Sequence, residues 1–210
     1  MHCHYFLVNF ETIISNKMPK TEIFDRKLVL DKATEVFHLK GYNATSMQDL
    51  VDATGLNRSS IYNSFESKEN LYMHCLINYK NLYNSKSSAL VNASKGAINA
   101  IATIFDFYIN DIVKDSQNKG CMLVNCKSEI GTKNLNILKF LLDHQKETLS
   151  FLEALIRQGQ EHSEINRKKN AQDYALFLFS ALQGLRMTGI LVNDKTKLQH
   201  IKETTIAILK

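Results

Sequence analysis

A run of hydrogen-bond donors occupies residues 58–63 of this 210-residue chain. Every side chain in the run except Ile61 carries an N–H or O–H group. Such groups bind DNA phosphates and the edges of bases. A solvent-facing helix rich in serine is the competing interpretation, and the run by itself leaves both open. The donors are Arg58, Ser59, Ser60, Tyr62 and Asn63.

Signals for helix ends place this run on the second of two short helices. Ser46 and Asp49 have the spacing of a capping box, which predicts that a helix starts at residue 47. Gly55 ends that helix, and Asn57 is a favourable N-cap for the next one. Two short helices around a glycine turn predict a helix-turn-helix. The apolar residues expected to face its core are Met47, Leu50, Val51, Leu56, Ile61 and Phe65.

The rest of the chain also shows helical spacing, so we predict an all-α fold. The single proline is Pro19 and there are 8 glycines, too few turn residues for a β-sandwich or barrel. Gly41 is expected to end the first helix. The predicted apolar stripes are Val29, Leu30, Ala33, Val36 and Phe37; Leu71, Cys75, Tyr79 and Leu82; Ile101, Ile104, Phe105, Tyr108, Ile109 and Ile112; Leu135, Leu138, Leu142, Leu149, Leu152 and Ile156; Tyr174, Leu178, Leu182 and Leu185; and Leu198, Ile201 and Ile208.

The sequence contains no pattern typical of an enzyme active site. GxSxG, HExxH, the phosphate-binding glycine loop and the Rossmann fingerprint do not occur. His144 and Glu147 are a lone pair of metal-ligand types, whereas a di-iron bundle needs such a pair on two helices. We therefore predict no catalysis, no cofactor and no metal site. A helical enzyme or metal protein is the weaker alternative.

Cysteine usage and hydropathy indicate a reduced, aqueous compartment. Cys3, Cys75, Cys121 and Cys126 form no CxxC pair and are predicted to be free thiols. No apolar run approaches the roughly 18 residues that a membrane span needs, and the N-terminus makes a poor signal peptide. These features predict a cytoplasmic protein without a membrane partner.

Residues 26–72 resemble the N-terminal signature of the TetR family of bacterial transcriptional regulators. The agreement in order and spacing is specific, although the family usually has alanine at the position of Thr54 and often glycine at that of Ser59. The residues that carry the resemblance are Ala33 through Phe37, Gly41, Tyr42, Thr45, Ser46, Asp49, Leu50, Gly55, Leu56, Asn57, Ile61, Tyr62, Phe65 and Ser67 through Leu71.

The resemblance implies a repressor that binds palindromic operator DNA as a homodimer and is released by a small-molecule effector. Its recognition helices would enter successive major grooves. By position, Thr45 and Ser46 would touch phosphate, as would Tyr62 and Lys68. The residues placed to contact bases or backbone are Arg58, Ser59, Ser60 and Asn63.

The sequence and the resemblance together predict how the chain is divided. We predict an irregular leader over 1–19, a helix-turn-helix DNA-binding domain over 20–68, and a helical ligand-binding and dimerisation domain over 69–210. The dimer would form through the last two helices, at about 171–208. The net charge of +5 does not locate the DNA-binding face, because residues 71–210 hold 18 basic and 12 acidic side chains.

The predicted effector site lies in the larger domain. Its aromatic and flexible apolar residues are of the types that line ligand cavities, and Asn125 and Gln183 are candidate polar anchors. The basic excess of the domain favours an uncharged or anionic ligand. Oxidation of Cys121 is the alternative trigger. The predicted lining residues are Phe105, Tyr108, Cys121, Met122, Asn125, Phe151, Phe177 and Gln183.

Overall fold

The computed structural model describes residues 24–130 and 133–210, and helices dominate these ranges. The all-α prediction is therefore confirmed. The predicted leader, including Cys3, lies outside the described residues. The helices are α1 (Arg26–Ala44), α2 (Met47–Thr54), α3 (Arg58–Phe65), α4 (Lys68–Asn92), α5 (Ala97–Lys114), α6 (Met122–Glu129), α7 (Leu135–Glu161), α8 (Ala171–Thr188) and α9 (Lys195–Ala207).

The predicted caps set the ends of α2 and α3. The backbone N–H of Asp49 donates to Ser46 Oγ at 3.1 Å, and the N–H of Ser46 donates to Asp49 Oδ2 at 2.8 Å, which completes the capping box. Gly55 adopts the left-handed conformation, with φ of 74°, that ends α2. Asn57 Oδ1 accepts from Ser60 N at 2.8 Å and starts α3.

Gly41 interrupts α1 as predicted, but a further turn follows it. Its φ of 78° and ψ of 171° break the regular helix, and the chain then continues as helix to Ala44. A Cβ at Gly41 would also lie 2.9 Å from Glu129 Oε2. The backbone conformation therefore favours glycine here, and a larger side chain would also displace the Glu129 carboxylate.

The buried side chains form two clusters. The head core joins α1–α4 to α6 and the start of α7, and the body core joins α5, α8 and α9 to the second half of α7. The head core therefore contains residues from far beyond position 68. Its buried members are Val29, Ala33, Phe37, Leu50, Ile61, Phe65, Leu71, Tyr72, Cys75, Leu76, Tyr79, Cys121, Met122, Leu123, Val124, Cys126, Ile130, Ile137 and Leu141.

Four residues of the predicted stripes are exposed. Leu135 is 81% exposed, and Leu142 is also on the outside, because α7 buries the face that carries Ile137, Leu141 and Ile156. Leu82 is exposed, although its neighbour Tyr83 on α4 packs against the head core. Ile208 follows α9, and Leu209 takes the buried position instead.

None of the described helices is both long and apolar enough to cross a membrane. Within the same residues, His, Cys, Asp and Glu side chains do not gather in groups of three or more that could hold a metal ion.

Candidate functional site

The outer face of α3 is a polar surface held in place by an apolar inner face. Ile61 and Phe65 are buried in the head core, so the helix cannot rotate without losing that packing. Tyr62 is 46% exposed, and Arg58 carries the only charge on the helix. The predicted donors Arg58, Ser59, Tyr62 and Asn63 are exposed, and Ser60 is half-buried.

Thr45 and Ser46, at the start of α2, occupy different environments. Ser46 is exposed beside the free N–H groups of the first turn, where an anion would be favourable. Thr45 is buried, and its Oγ1 donates to Gly41 O at 2.6 Å. In this conformation the Thr45 hydroxyl closes the turn after Gly41, and the phosphate contact of Thr45 stays a prediction.

Lys68 begins α4 beside this surface. Its Nζ lies 4.4 Å from the centroid of the Tyr42 ring, a cation–π contact that fixes the side chain. Partial burial lowers the pKa of Lys68, while Glu129 and Asp49 oppose that shift. Hydrogen bonds from Lys40 and Ser46 lower the pKa of Asp49 to about 2. Lys40 Nζ forms an ion pair with Asp49 Oδ1 at 2.7 Å.

A cavity of about 250 Å³ opens between α4, α5, α7 and α8. Each long helix lines it with residues three, four and seven positions apart, which form one face of a helix. Exposed Asn84 and Ser88 on α4 mark the side that meets solvent. The lining residues are Asn84, Ser87, Ser88, Val91, Ile104, Tyr108, His144, Glu147, Thr148, Phe151, Leu152, Phe179, Leu182, Gln183 and Arg186.

Arg186 is the most deeply placed charge in the cavity wall. Its Cζ lies 3.5 Å from the centroid of the Tyr108 ring, and Nη1 donates to Cys121 Sγ at 3.2 Å. The buried Nε has no hydrogen-bond partner. Among the described residues, no carboxylate lies within 4 Å of the guanidinium.

His144 is a second incompletely paired group in the same wall. Its buried Nδ1 has no hydrogen-bond partner. Burial, together with the nearby cations Lys80, Arg186 and Lys127, lowers the pKa of His144 to about 4. The imidazole is therefore neutral at pH 7.

Two lysines add positive charge around the cavity. Lys127 Nζ donates to Gln183 Oε1 at 3.3 Å and lies 4.9 Å from the Phe179 ring centroid. Burial lowers the pKa of Lys127. Lys80 Nζ lies 2.5 Å from a carboxylate oxygen of Glu147, so the one acidic side chain in the lining already has a partner.

The eight predicted effector residues divide into two groups. Tyr108, Phe151 and Gln183 line the cavity, and Cys121 reaches it only through Arg186. Cys121 itself lines an adjoining hollow of about 20 Å³. The remaining four are placed elsewhere by packing. Phe105 is buried in the body core, Met122 in the head core, Asn125 donates to Lys119 O, and Phe177 lies on the outer face of α8.

Sequence reasoning missed Arg186 and did not assign His144 to the effector site. A signal was present, because His144, Glu147, Thr148 and Phe151 repeat at helical spacing along α7. Periodicity identifies such a face but does not distinguish a face packed on neighbours from one that borders empty space.

The described cysteines are buried and reduced. Burial raises the pKa of Cys75 to about 12 and that of Cys126 to about 11. A raised thiol pKa lowers the population of the reactive thiolate. These two residues therefore do not favour an oxidation trigger.

Helix α6 is tied to α1 at both ends. Glu129 accepts hydrogen bonds from Tyr42 N at 2.9 Å and Asn43 N at 2.7 Å. At the other end, His38 Nε2 lies 2.7 Å from Gly120 O. Because Lys127 and Cys121 also contact Gln183 and Arg186 on α8, α6 connects the cavity wall to the helix that precedes α2.

The outer face of α8 is apolar and exposed. Leu176 and Met187 are exposed, Phe177 is 38% exposed, and Gly184 has open space around it. Leu182, by contrast, is only 5% exposed and lines the cavity. Leu182 is therefore not part of a surface available to a second subunit.

Comparisons with known proteins place this geometry in context. A family model described as "Bacterial regulatory proteins, tetR family" matches residues 29–75, and one described as "Tetracyclin repressor-like, C-terminal domain" matches residues 97–205. The chain is 28% identical to the HTH-type transcriptional repressor ComR of Escherichia coli (strain K12). The alignment of 190 residues covers 90% of each protein.

Solved structures share the fold. A cysteine mutant of the TetR family transcriptional regulator CifR, complexed with 26-base-pair operator DNA, has a TM-score of 0.80 at 19% identity and covers 91% of this chain and 100% of its own. FadR from Bacillus subtilis, in complex with stearoyl-CoA, has a TM-score of 0.73 at 14% identity, with coverages of 89% and 100%.

Proposed function

The chain belongs to the TetR family of bacterial regulatory proteins, and we propose that it is a repressor that binds palindromic operator DNA as a homodimer. A small molecule in the cavity between α4, α5, α7 and α8 releases it. The protein acts in the cytoplasm and performs no catalytic step. The observation that carries the proposal is the exposed donor face of α3, locked onto the head core by Ile61 and Phe65.

The donor face divides into base-reading and phosphate-binding groups. Arg58 and Asn63 read base edges in the major groove, since arginine pairs with guanine and asparagine with adenine. Tyr62 and Lys68 bind phosphates, as do the free N–H groups at Ser46. Two recognition helices would enter grooves about 34–36 Å apart. With so few basic contacts, we expect a modest dependence of affinity on salt.

The homodimer forms through the outer face of α8 together with α9. Leu176, Phe177 and Met187 are exposed apolar side chains on one helix, and small residues between them permit close approach.

Phe177→Lys would place a charge in that interface without a partner. We expect monomers by light scattering and loss of operator binding. Leu142→Lys, which changes an exposed leucine on α7, should leave the dimer intact.

Effector binding reaches the DNA-binding helices through α6. A ligand that shifts Arg186 or Gln183 moves Cys121 and Lys127, and Glu129 carries that displacement to the backbone of Tyr42 and Asn43. The recognition helices of the dimer then lose the groove spacing. Ligand and DNA must weaken each other by the same factor, typically about 5–150-fold.

Selection from a library of random double-stranded DNA tests the DNA-binding role. Wild-type protein should enrich one palindromic sequence, and Arg58→Ala should bind that sequence about 10- to 150-fold more weakly with relaxed preference at one or two base pairs. Arg157→Ala, an exposed arginine on α7, is the matched control and should bind normally. Enrichment of no sequence by wild-type protein would overturn the proposal.

A further inference from the structure

Arg186 is a largely buried permanent charge with no carboxylate of the described residues within 4 Å. Its contacts are the face of Tyr108 and the sulfur of Cys121, and its Nε is buried without a partner. Removing a guanidinium from water costs free energy that only an opposite charge or several hydrogen bonds offset. Asp111 and Asp115 line the small hollow beside Arg186, yet neither forms an ion pair with it.

His144, whose side chain lines the same cavity, carries a second unpaired polar atom. Its Nδ1 is buried and unpaired, and an imidazole ring can donate a hydrogen bond from either nitrogen according to its tautomer. Arg186 and His144 both line the cavity, on α8 and α7 respectively. Two residues of one cavity wall therefore carry buried polar atoms without a hydrogen-bond partner, which indicates that a polar ligand group is missing.

The charges around the cavity specify the sign of that partner. Arg186 lines it, and Lys127 and Lys80 lie close enough to lower the pKa of His144. Glu147 is the acidic side chain of the lining and is held by Lys80. A cationic ligand would meet this excess of positive charge, whereas an anion would be stabilised by it.

The rest of the wall specifies a compact apolar body. Phe151, Phe179 and Leu182 face Ile104 and Tyr108 across the cavity. The volume of about 250 Å³ is below the roughly 300–1,000 Å³ of cavities that hold drug-sized ligands. One aromatic ring with a short chain is of a size that this space can enclose.

We propose that the effector is a small aromatic carboxylate, whose acid group lies between Arg186 and His144 and whose ring packs on Phe151, Phe179 and Leu182. The inference rests on the proposed function in taking this cavity as the effector site. Arg186 then has its counter-ion only when the ligand is bound. A charge-assisted pair at this site gives the ligand a specific orientation.

Matched acids and amides test the ligand class directly. Phenylacetate, benzoate and 3-phenylpropionate, each beside its neutral amide, would be titrated into the full-length protein by calorimetry at pH 7. At least one acid should bind about tenfold or more tightly than its amide. If no acid binds better than its amide, the proposal is overturned.

Two pairs of variants assign the acid group to its partners. Arg186→Met should weaken acid binding about 10- to 100-fold and leave amide binding unchanged, because a hydrogen-bonded charge is lost. Arg157→Met removes an exposed arginine and should change neither. His144→Gln should weaken acid binding about 2- to 10-fold, and His162→Gln, at an exposed histidine, should not.

Arg186→Lys keeps the test valid if Arg186→Met does not fold. It retains the charge but loses the planar fork, and acid binding should fall by an intermediate factor. Acid selectivity that survives every change at Arg186 would contradict the assignment.

Operator binding separates this inference from the proposed function. If an acid binds with the predicted selectivity but the operator complex persists, the regulatory role fails and the ligand class stands. If the selected operator binds and no acid does, the ligand class fails and the DNA-binding role stands.

Discussion

The head core and the cavity in the body differ in how they treat buried polar groups. In the head, buried Thr45 and Thr54 donate to backbone carbonyls, and the capping groups of α2 and α3 are paired. In the body, Arg186 Nε and His144 Nδ1 are the two buried side-chain atoms of the described residues that have no partner. Among the described residues, the buried side-chain polar atoms of the head core are all paired within the protein. The cavity wall, by contrast, holds two that could pair with a bound molecule.

The contrast between the head core and the cavity should be largest in the loss of unfolding free energy when a leucine is truncated to alanine. Leu71→Ala removes a side chain enclosed on all sides in the head core and should destabilise the protein by about 3–5 kcal/mol. Leu182→Ala enlarges a cavity that already exists and should cost about 1–2 kcal/mol, since one side of Leu182 has few partner atoms to lose. Urea unfolding of both variants measures the contrast. Equal costs would mean that the cavity is closed in solution.

Part of the pH dependence of stability should come from the body, beside the contribution of His38 in α1, whose pKa is also lowered by burial. The pKa of His144 is lowered by burial from 6.5 to about 4. As the pH falls below 6.5, the unfolded chain takes up a proton that folded His144 refuses, so stability is intact above 6.5 and decreases down to pH 4. The loss from this residue would reach about 3 kcal/mol.

His144→Gln should make the stability profile less steep between pH 6.5 and 4, as followed by urea unfolding at several pH values, while the contribution of His38 remains. His162→Gln should leave the slope unchanged, because His162 is exposed. An unaltered slope in His144→Gln would show that His144 is protonated in the folded protein at pH 6.

The head was largely predictable from sequence because its signals are local. Ser46, Asp49, Gly55 and Asn57 lie within twelve residues, and each cap acts on a neighbouring N–H or carbonyl. The body was less predictable because its key contacts join distant residues. Cys121 meets Arg186 across 65 positions, and His38 meets Gly120 across 82.

The errors within the long helices have a related cause. Leu135 and Leu142 have the right spacing for a buried stripe but lie on the wrong face, since α7 packs on both cores and turns a different side inward. Phe177 was expected to line the effector site because it is aromatic, whereas its position on α8 faces away from the cavity. The DNA contacts remain predictions until they are measured.

The coupling between the effector cavity and the DNA-binding helices should depend on Glu129. Glu129→Ala removes the acceptor of two backbone hydrogen bonds to α1, and we expect the effector to release DNA about tenfold less effectively, a loss of about 1.4 kcal/mol of coupling. Operator and effector should each still bind alone. Fluorescence anisotropy of labelled operator, with and without effector, measures the coupling.

Glu164→Ala is the control for that experiment. Glu164 also approaches a glycine, Gly96, and accepts from Ile98 N at 3.3 Å, but both contacts lie within the body. Its removal should leave the coupling unchanged. If Glu164→Ala and Glu129→Ala reduce coupling equally, the path does not run specifically through α6.

The thermodynamic linkage between the cavity and α3 can be measured from both sides. The affinity of wild-type protein for its selected operator would be measured by anisotropy without ligand and with a saturating aromatic acid, and the affinity for the acid would be measured by calorimetry with and without operator. We expect each partner to weaken the other by one common factor, about 5–150-fold. An acid that binds in the cavity and leaves operator affinity unchanged would contradict this expectation.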